Sequence, residues 1–413
     1  MNREPVAVKT RKGYAVLHES GIYFLDRDAN LNEKLSAIKE RRRPEINLPV
    51  AERERLAKAI IFLSSDCNLR CIYCYANSGE EHRVVSANKA KTLIDFVAEK
   101  CDRLILDFHG GGEPLLHFDL IKELHEYAAA TKKLYRTVLI TNGAIIDEKS
   151  QKLEWILKNV NNMAISCDGM PGIQNKNRPF ADGHDSSKEV EDTIRYFAKK
   201  DFSFVVRSTI TNDSAQKLLD ITEYFCGLGV KHLVYSPCYN FGRSFDTALV
   251  PRDDVYVKNY MKSVEYACAR GVRITSTSFR YPGYHYCGAL SGFNLALTAD
   301  GFISTCYEVT RFDDSAANTF IVGRVTADGV ELFRDKILNM RSLEDLSLSK
   351  CAKCPYRLVC RGGCPVKKIR NSVDALNNLC RITRRLVPEL LNFLEENPQA
   401  CEFILKGVRQ EVE

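Results

Sequence analysis

The chain has 413 residues, of which 45% are apolar and 27% are charged, and its net charge is +6. These values are ordinary for a globular protein of two or three domains. The densest basic run, residues 39–43, is short, so it predicts a solvated face rather than a nucleic-acid interface. No apolar run approaches the roughly 20 residues that span a bilayer, and the first ten residues lack the apolar core of a signal peptide. We therefore expect a cytoplasmic protein that binds neither nucleic acid nor membrane.

Sixteen cysteines are present, and they are the chain's most unusual feature. Cytoplasmic thiols stay reduced, so tight groups of cysteines indicate metal or cluster ligation rather than disulfides. Ten of them fall in such groups. Core packing is the default interpretation of the scattered remainder, which comprises Cys101, Cys167, Cys226, Cys238, Cys268 and Cys401.

The first 57 residues predict a small unit of their own. Apolar and polar residues alternate over residues 5–28 with two turn signals, which indicates a β-meander. A short helix over residues 31–40 and a linker over residues 43–49 follow. A cap on the next domain is the simplest interpretation of this unit.

From residue 58, predicted strands alternate with amphipathic helices, as in a parallel α/β sheet with right-handed crossovers. The strands are expected at residues 59–63, 103–108, 136–141, 162–166, 202–209 and 231–236. The helices are expected from Ser86, a predicted N-cap, and at residues 147–159, 187–200, 214–226 and 254–270. Eight such units would close a barrel of about 250 residues. Six units over residues 58–279 predict a partial (β/α)6 barrel like an open TIM barrel.

Beyond residue 280 the pattern changes. Residues 293–298 and 302–306 flank Ala299-Asp300-Gly301, a hairpin signal. Cysteines dominate the sequence from there to Cys380. Residues 381–406 predict a helix that is interrupted at Pro388. We therefore expect a cysteine-rich domain over residues 280–385 and a C-terminal helix over residues 386–413.

Three cysteines with the spacing C-x3-C-x2-C follow the first barrel strand, namely Cys67, Cys71 and Cys74. Three thiolates on one loop can hold three irons of a cubane cluster and leave the fourth iron open. A zinc site that lacks a local fourth ligand is the alternative. The spacing, with Tyr73 before the last cysteine, resembles the radical S-adenosylmethionine (radical SAM) family. That resemblance implies an open iron that chelates S-adenosylmethionine, and an electron that cleaves it to a hydrogen-abstracting 5′-deoxyadenosyl radical.

A glycine-rich segment after the second barrel strand contains Gly111, Gly112, Glu113 and Pro114. Glycines let the backbone approach a ligand closely, and an adjacent acid can bind an ammonium group. The segment is similar to the Gly-Gly-Glu-Pro motif of the same family, which holds the amino group of S-adenosylmethionine. Thr141-Asn142 ends the third strand, as in many family members.

The resemblance also implies roles for residues at the fourth and fifth strands. It places Ser166 beside the ribose of S-adenosylmethionine and Asp168 at the same strand end. Arg178 would bind the methionine carboxylate, and Arg207 is a second candidate for that carboxylate. Without the resemblance, strand-end caps and surface charge would explain these residues.

Seven cysteines of the C-terminal region resemble the SPASM extension of radical enzymes that modify peptides and proteins. That extension holds two auxiliary 4Fe–4S clusters, so the resemblance implies three clusters in all. Paired C-x2-C knuckles that bind zinc are the alternative. The resemblance assigns one set of cysteines to the outer cluster, namely Cys351, Cys354, Cys360 and Cys380. It assigns a smaller set to the inner cluster, namely Cys287, Cys306 and Cys364.

The inner set is one cysteine short. Family members with a fully ligated inner cluster carry an eighth cysteine shortly before the first, and residues 278–286 contain none. Cys238 or Cys268 could replace it only if the chain folds back to them. An open cluster iron binds soft thiolates, so the hypothesis is that it captures a cysteine of the substrate.

These features predict a peptide maturase, similar to those of ribosomal peptides, that installs a crosslink and draws electrons from a flavodoxin or ferredoxin. A cysteine thioether is favoured over a carbon–carbon or carbon–oxygen bond. Residues 1–57 would then be a peptide-recognition region or the cap. The first alternative is an anaerobic sulfatase-maturing enzyme, which forms formylglycine. Such enzymes usually carry an aspartate after the second SPASM cysteine, where this chain has Tyr307 and then Glu308. The second alternative is a non-catalytic electron-transfer module.

Overall fold

The computed structural model describes residues 4–40, 56–145, 149–240, 242–243, 247–280, 282, 287–291, 294–342, 351, 353–360, 362–370, 373–400 and 404. The linker predicted at residues 43–49 lies outside these residues. None of the described helices is long and apolar enough to cross a bilayer.

Fourteen strands lie in the described part of the chain. In chain order they are β1 (Val6–Lys9), β2 (Gly13–His18), β3 (Gly21–Asp26), β4 (Leu56–Phe62), β5 (Arg103–His109), β6 (Leu134–Thr141), β7 (Asn162–Ser166), β8 (Phe204–Ile210), β9 (His232–Pro237), β10 (Arg273–Ser276), β11 (Asn294–Leu297), β12 (Phe302–Ser304), β13 (Ile321–Thr326) and β14 (Gly329–Leu332).

The α-helices of the same residues are α1 (Leu31–Lys39), α2 (Ala87–Ala98), α3 (Phe118–Ala130), α4 (Lys149–Asn159), α5 (Pro171–Asn177), α6 (Ser187–Lys199), α7 (Asn212–Gln216), α8 (Leu218–Gly227), α9 (Asp253–Cys268), α10 (Gly288–Ser291), α11 (Ala317–Phe320), α12 (Arg334–Ser342), α13 (Arg357–Cys360), α14 (Pro365–Arg370) and α15 (Val373–Glu396). Single 3-10 turns form at Pro114–His117 and Thr247–Leu249.

The N-terminal meander and short helix are confirmed as the antiparallel sheet β1-β2-β3 and α1. This sheet is attached to the C-terminal helix. The Thr10 hydroxyl donates to Glu395 over 2.7 Å, and the Arg11 amide donates to the Asn392 side chain over 2.9 Å. Ala15 and Leu17 of β2 are buried in the main core. The unit therefore packs against helix α15, far along the chain.

A second sheet of eleven strands runs in the order β10-β9-β8-β7-β6-β5-β4-β11-β12-β13-β14. Strands β4 to β10 are all parallel, with helices α2, α3, α4, α6, α8 and α9 in the connections. The six predicted β/α units are therefore confirmed, and β10 adds one more parallel strand. The loops that follow the strands meet at one edge, where ligands bind in such sheets.

The cysteine-rich region continues the same sheet. Strand β11 pairs in parallel with β4, with Ala296 opposite Ile60, and then turns back through the predicted hairpin into β12. Three antiparallel pairings, β11-β12, β12-β13 and β13-β14, complete this side. The hairpin expected around Asp300 is thus confirmed. The barrel and the C-terminal region share one hydrogen-bonded sheet.

Helix α2 shows why the periodic segments fold as predicted. Its apolar residues Ala90, Leu93, Ile94 and Val97 recur on one face, and all are buried against the sheet. Ser86 occupies the predicted N-cap position in an extended conformation, without a side-chain hydrogen bond to the helix. Burial of this stripe, rather than the cap, therefore fixes the start of the helix.

Two predicted helices differ from the observed ones. The helix expected over residues 214–226 is divided at Lys217, and the capping box formed by Thr211 and Ser214 starts α7 two residues earlier than expected, at Asn212. Helix α15 begins at Val373 and continues through Pro388, so the predicted interruption was wrong. Leu386, Val387, Leu390 and Leu391 are all buried, and this packing offsets the hydrogen bond that proline cannot donate.

Candidate functional site

The three cysteines of the first loop lie at the edge where β4 ends. Cys67, Cys71 and Cys74 are all half-buried. Burial, and next the charge of neighbouring Cys71, raise the pKa of the Cys67 thiol to about 12. Burial also raises the pKa of Cys71 to about 11, with Arg178 opposing and Cys74 adding to the shift. The thiols are thus near enough to influence one another electrostatically.

Each of these sulfurs also has a polar neighbour. The side-chain amide nitrogen of Asn142 lies 3.9 Å from the Cys67 sulfur, and the Arg178 guanidinium lies 3.7 Å from the Cys71 sulfur. The Cys74 sulfur lies 3.6 Å from the Ser78 hydroxyl. Donors at these positions orient thiolate ligands and stabilise their charge.

Among the described residues, no three His, Cys, Asp or Glu side chains are arranged to hold a single metal ion. A cubane cluster takes one thiolate for each iron, so its ligands surround the cluster rather than converge on one point. The Cys67, Cys71 and Cys74 thiols, which influence one another electrostatically, could surround a cluster in this way.

The loop is held against the segment that follows α5. Leu69 bridges Phe180, and the Arg70 amide donates to the Pro179 carbonyl over 2.8 Å. The Ile72 amide donates to the Asn177 carbonyl over 2.9 Å. These backbone contacts fix the loop before any ligand is present.

The glycine-rich segment packs directly on the first loop. The Glu113 amide donates to the Asp66 carbonyl over 2.7 Å. A Cβ on Gly112 would lie 1.8 Å from that carbonyl oxygen, so a larger residue cannot fit without moving the backbone. Gly111 has a φ of +148°, which L residues rarely adopt. Close approach and backbone conformation therefore explain these two glycines.

Glu113 is buried, and its carboxylate connects three segments. One oxygen accepts hydrogen bonds from the Thr141 hydroxyl over 2.7 Å and from the Leu115 amide over 3.1 Å. The other oxygen accepts a hydrogen bond from the backbone amide of Asn142 over 2.6 Å. Burial raises the pKa of Glu113, and these hydrogen bonds oppose the shift. The predicted Glu113, Thr141 and Asn142 thus lie together, and Pro114 begins the 3-10 turn that Glu113 caps.

Tyr73, Asp168 and Arg178 form a buried network beside Cys71. The Arg178 Nε donates to the Tyr73 hydroxyl over 2.7 Å and to the Asp168 carboxylate over 3.3 Å. The Tyr73 hydroxyl donates to the same carboxylate. Asp168, which is fully buried, also accepts from Asn177 over 3.1 Å and from the Thr209 amide over 3.0 Å. The sequence identified the three residues separately and missed this network.

Ser166 and Arg207 stand opposite each other in the register of β7 and β8. Arg207 is exposed, and its charge acts on Asp107 and His109 of β5. It therefore faces the interior of the partial barrel. Arg178, by contrast, lies at the strand ends beside Cys71.

The interior also contains polar residues that the sequence analysis did not identify. Tyr307 donates to the Asp107 carboxylate over 2.8 Å, and Lys58 donates to the Tyr307 hydroxyl over 3.2 Å. The His109 ring packs on the Tyr307 ring with centroids 4.5 Å apart. One signal was available, since Asp107 is a charged residue inside an apolar run, Leu104 to Phe108. A buried charge is costly without partners.

The seven C-terminal cysteines form two groups. Burial, and then the charges of Cys380, Cys351 and Cys354, raise the pKa of Cys360 to about 11. Burial raises the pKa of the Cys306 thiol, and the charges of Glu308, Cys364 and Cys287 add to that shift. The structure thus brings together the same two sets that the resemblance assigns to the outer and inner clusters. A cavity between the two groups is lined by Cys351, Cys360 and Cys380 of the first group and by Cys364 of the second.

The two replacement cysteines differ in position. Cys268 ends α9, before β10 begins, at the sheet edge opposite the cluster loops. Cys238 follows β9 at the same edge as those loops and is buried. The charges of Cys238 and Cys364 both raise the pKa of Lys367, against the larger lowering by burial, so Lys367 lies near both cysteines. The chain therefore folds back toward the inner group at Cys238 and not at Cys268.

Comparisons with known proteins give a consistent result. Residues 61–225 match the family model of the radical SAM superfamily. The chain is 26% identical over 367 residues to the cysteine-type anaerobic sulfatase-maturating enzyme of Clostridium perfringens (strain 13 / Type A), covering 80% of this chain and 95% of that protein. It is also 26% identical over 337 residues to the mycofactocin maturase MftC of Mycolicibacterium smegmatis, covering 74% and 77%.

Solved structures share the fold. Native anSMEcpe with bound AdoMet and Cp18Cys peptide superposes with a TM-score of 0.66 at 19% identity, covering 84% of this chain and 99% of that one. Streptococcus suis SuiB bound to its precursor peptide SuiA gives a TM-score of 0.56 at 13% identity, covering 89% and 95%. The chain is therefore similar to the radical SAM superfamily over residues 61–225, and over most of its length to an anaerobic sulfatase-maturating enzyme and to the mycofactocin maturase MftC.

Proposed function

We propose that this enzyme modifies a residue of a peptide or small protein by hydrogen abstraction, and that its main product is a cysteine thioether. One observation carries the proposal. The three-cysteine loop and the glycine-rich segment that ends in Glu113 are packed on each other at the C-terminal edge of the sheet. Relatives and structural neighbours that act on or bind peptides and proteins support the substrate class.

Cys67, Cys71 and Cys74 would hold the first 4Fe–4S cluster. With S-adenosylmethionine bound there, the cluster supplies the radical that removes hydrogen from the substrate. The polar neighbours of the three sulfurs would stabilise their thiolate state, which burial disfavours at Cys67 and Cys71. The donor set is therefore suited to a cluster that supplies the positive charge.

The surrounding side chains would bind S-adenosylmethionine. The Glu113 carboxylate, already fixed by three hydrogen bonds, would accept the amino group. Arg178 would reach the methionine carboxylate from its position beside Cys71, and the buried Asp168 and Tyr73 would hold its guanidinium. We assign Ser166 to the ribose.

The remaining cysteines would hold two auxiliary clusters, four ligands for the outer and three for the inner. Cys287, Cys306 and Cys364 would leave one iron of the inner cluster open to the sulfur of a substrate cysteine, and the cluster would supply the acceptor for the electron that thioether formation releases.

Formylglycine formation on a protein cysteine is the second candidate. Similarity to the Clostridium perfringens enzyme favours it. The residue after Cys306 is Tyr307 rather than aspartate, which weighs against it. The two candidates share the substrate residue and differ in the fate of its sulfur.

The test uses anaerobically reconstituted enzyme with S-adenosylmethionine and either dithionite or a flavodoxin as reductant. Release of 5′-deoxyadenosine separates an enzyme from an electron-transfer module. Iron should fall in C67A and not in C101A, where a scattered core cysteine serves as the matched control.

Peptides with one cysteine, including Cp18Cys, are then examined by mass spectrometry. A thioether retains the sulfur, whereas formylglycine replaces the thiol by an aldehyde. Product from peptides whose cysteine is replaced by alanine would contradict both candidates.

A further inference from the structure

Four polar residues inside the partial barrel form a group that the proposed binding of the clusters and of S-adenosylmethionine does not use. We call Lys58, Asp107, His109 and Tyr307 the interior group. Lys58 lies on the face of β4 that also carries Ile60 and Phe62, and these two pack with Tyr307 apart from the main core. Asp107 and His109 lie two residues apart, on one face of β5. The C-terminal region therefore inserts Tyr307 into the barrel interior.

Asp107 is the centre of this group. It is 2% exposed, accepts a hydrogen bond from Tyr307 over 2.8 Å and faces the Lys58 amine at 3.6 Å. Its second oxygen, Oδ1, is buried and has no hydrogen-bond partner. Buried polar atoms of native proteins are nearly always paired, so an unpaired carboxylate oxygen at the centre of this group points to a missing ligand.

We propose that Asp107 is the general base that takes the proton the substrate loses when it is oxidised, with Tyr307 and Lys58 positioning its carboxylate. The inference rests on the proposed function and adds the proton acceptor to it. Oδ1 would accept a hydrogen bond from the substrate thiol before it accepts the proton. The His109 ring would complete the wall beside that thiol.

The proposed step balances in both candidate reactions. Removal of a hydrogen atom leaves a carbon-centred radical on the substrate. In thioether formation, a carbon–sulfur bond forms, the sulfur–hydrogen bond breaks, the proton goes to Asp107 and one electron goes to an oxidised iron–sulfur cluster. In formylglycine formation, a thiol-bearing carbon radical becomes a thioaldehyde and releases the same proton and electron, and water then replaces the sulfur.

Neighbouring candidates for the base are engaged elsewhere. Glu308 pairs with the Arg370 guanidinium at 3.5 Å, and that guanidinium also binds Asp314. The Tyr307 hydroxyl already donates its hydrogen to Asp107 over 2.8 Å, so it acts as a donor rather than as the base. Burial raises the pKa of Asp107, while Lys58 and then Tyr307 oppose the shift. A raised pKa makes a carboxylate a better proton acceptor.

The test compares wild type with D107N, which keeps the size of the side chain. The probe is the Cp18Cys peptide with deuterium at all its carbon-bound positions, so that hydrogen abstraction from any residue labels 5′-deoxyadenosine. D107N should still transfer deuterium to 5′-deoxyadenosine, but the yield of modified peptide for each 5′-deoxyadenosine should fall at least 100-fold. An unchanged yield, or a parallel loss of both products, would overturn the proposal.

Two further variants guard against a general structural defect. D95N is the matched control, because Asp95 accepts from Tyr127 over 2.7 Å on the outer surface of α2, and it should behave as wild type. Y307F retains the carboxylate and loses its positioning donor, so it should lower the same yield by about tenfold. A Y307F yield equal to that of wild type would refute the positioning role.

Binding gives a readout that is independent of turnover. Wild type should bind Cp18Cys about fivefold more tightly than the version with alanine at its cysteine, and D107N should lose this preference. Failure of the proposed function itself has a different signature, because wild type would then transfer no deuterium to 5′-deoxyadenosine.

Discussion

Replacement of Glu113 by glutamine tests the contact between the glycine-rich segment and the rest of the site. A carboxylate accepts on both oxygens, whereas an amide accepts on one and donates from the other. If the carbonyl faces Thr141 and Leu115, the amide NH2 meets the Asn142 N–H at 2.6 Å. If the side chain is flipped, the Leu115 N–H loses its acceptor. Either orientation leaves one buried backbone donor unpaired.

An unpaired buried donor costs about 1–3 kcal/mol. We therefore expect E113Q to destabilise the segments around residues 110–117 and 141–145 by about 2 kcal/mol, which is a roughly 30-fold increase in local opening. Hydrogen exchange followed by mass spectrometry measures this directly. If Glu113 also binds the amino group of S-adenosylmethionine, the lost charge-assisted bond should weaken binding by about 10- to 150-fold in equilibrium dialysis.

Glu123 provides the matched control, since its carboxylate pairs with Lys91 at 2.6 Å on the surface of α3. E123Q should change neither measurement, because exposed ion pairs contribute about 0–1 kcal/mol. Normal exchange protection together with normal binding in E113Q would refute both the structural and the ligand role.

Three further predictions follow from single side chains. Y73F should lower stability by about 1.5–3 kcal/mol, because buried Asp168 and Arg178 each lose a hydrogen-bond partner, and calorimetry that finds no change contradicts the network. Burial lowers the pKa of the His109 imidazole to about 3 from 6.5. Below pH 6.5 this imidazole is protonated in the unfolded chain but not in the folded one, so the stability of the fold should fall as the pH drops. H109N should reduce that slope between about pH 6.5 and 5 in melting curves. C238A should keep the iron content and electron paramagnetic resonance spectrum of wild type, and a loss of iron would identify Cys238 as a fourth inner ligand.

Local patterns predicted most of the fold. The six barrel strands are short apolar runs, and their helices carry apolar residues at helical spacing, so neighbouring residues suffice to identify them. The grouping of Cys67, Cys71 and Cys74 was also readable, because they lie on one loop, whereas the two C-terminal sets of cysteines are interleaved in sequence and were assigned from the family resemblance. Pro388 shows the limit of local rules, since burial of the residues around it keeps α15 continuous.

Contacts between distant segments could not be predicted in this way. The Tyr73–Asp168 contact spans 95 residues, and the Tyr307–Asp107 contact spans 200. Both depend on which strands are neighbours and on which face each side chain lies. The pairing of β11 with β4 decides the second contact, because it brings Tyr307 over the barrel. No feature of either strand alone specifies that pairing.

That pairing also determines how this enzyme can be divided for experiments. A fragment that ends near residue 280 would expose the backbone of β4, an apolar strand at the centre of the natural sheet. Uncovered edges of this kind recruit other chains. Fragments that lack the cysteine-rich region should therefore aggregate, and exchange of that region between relatives should succeed only where the replacement restores a matching partner for β4.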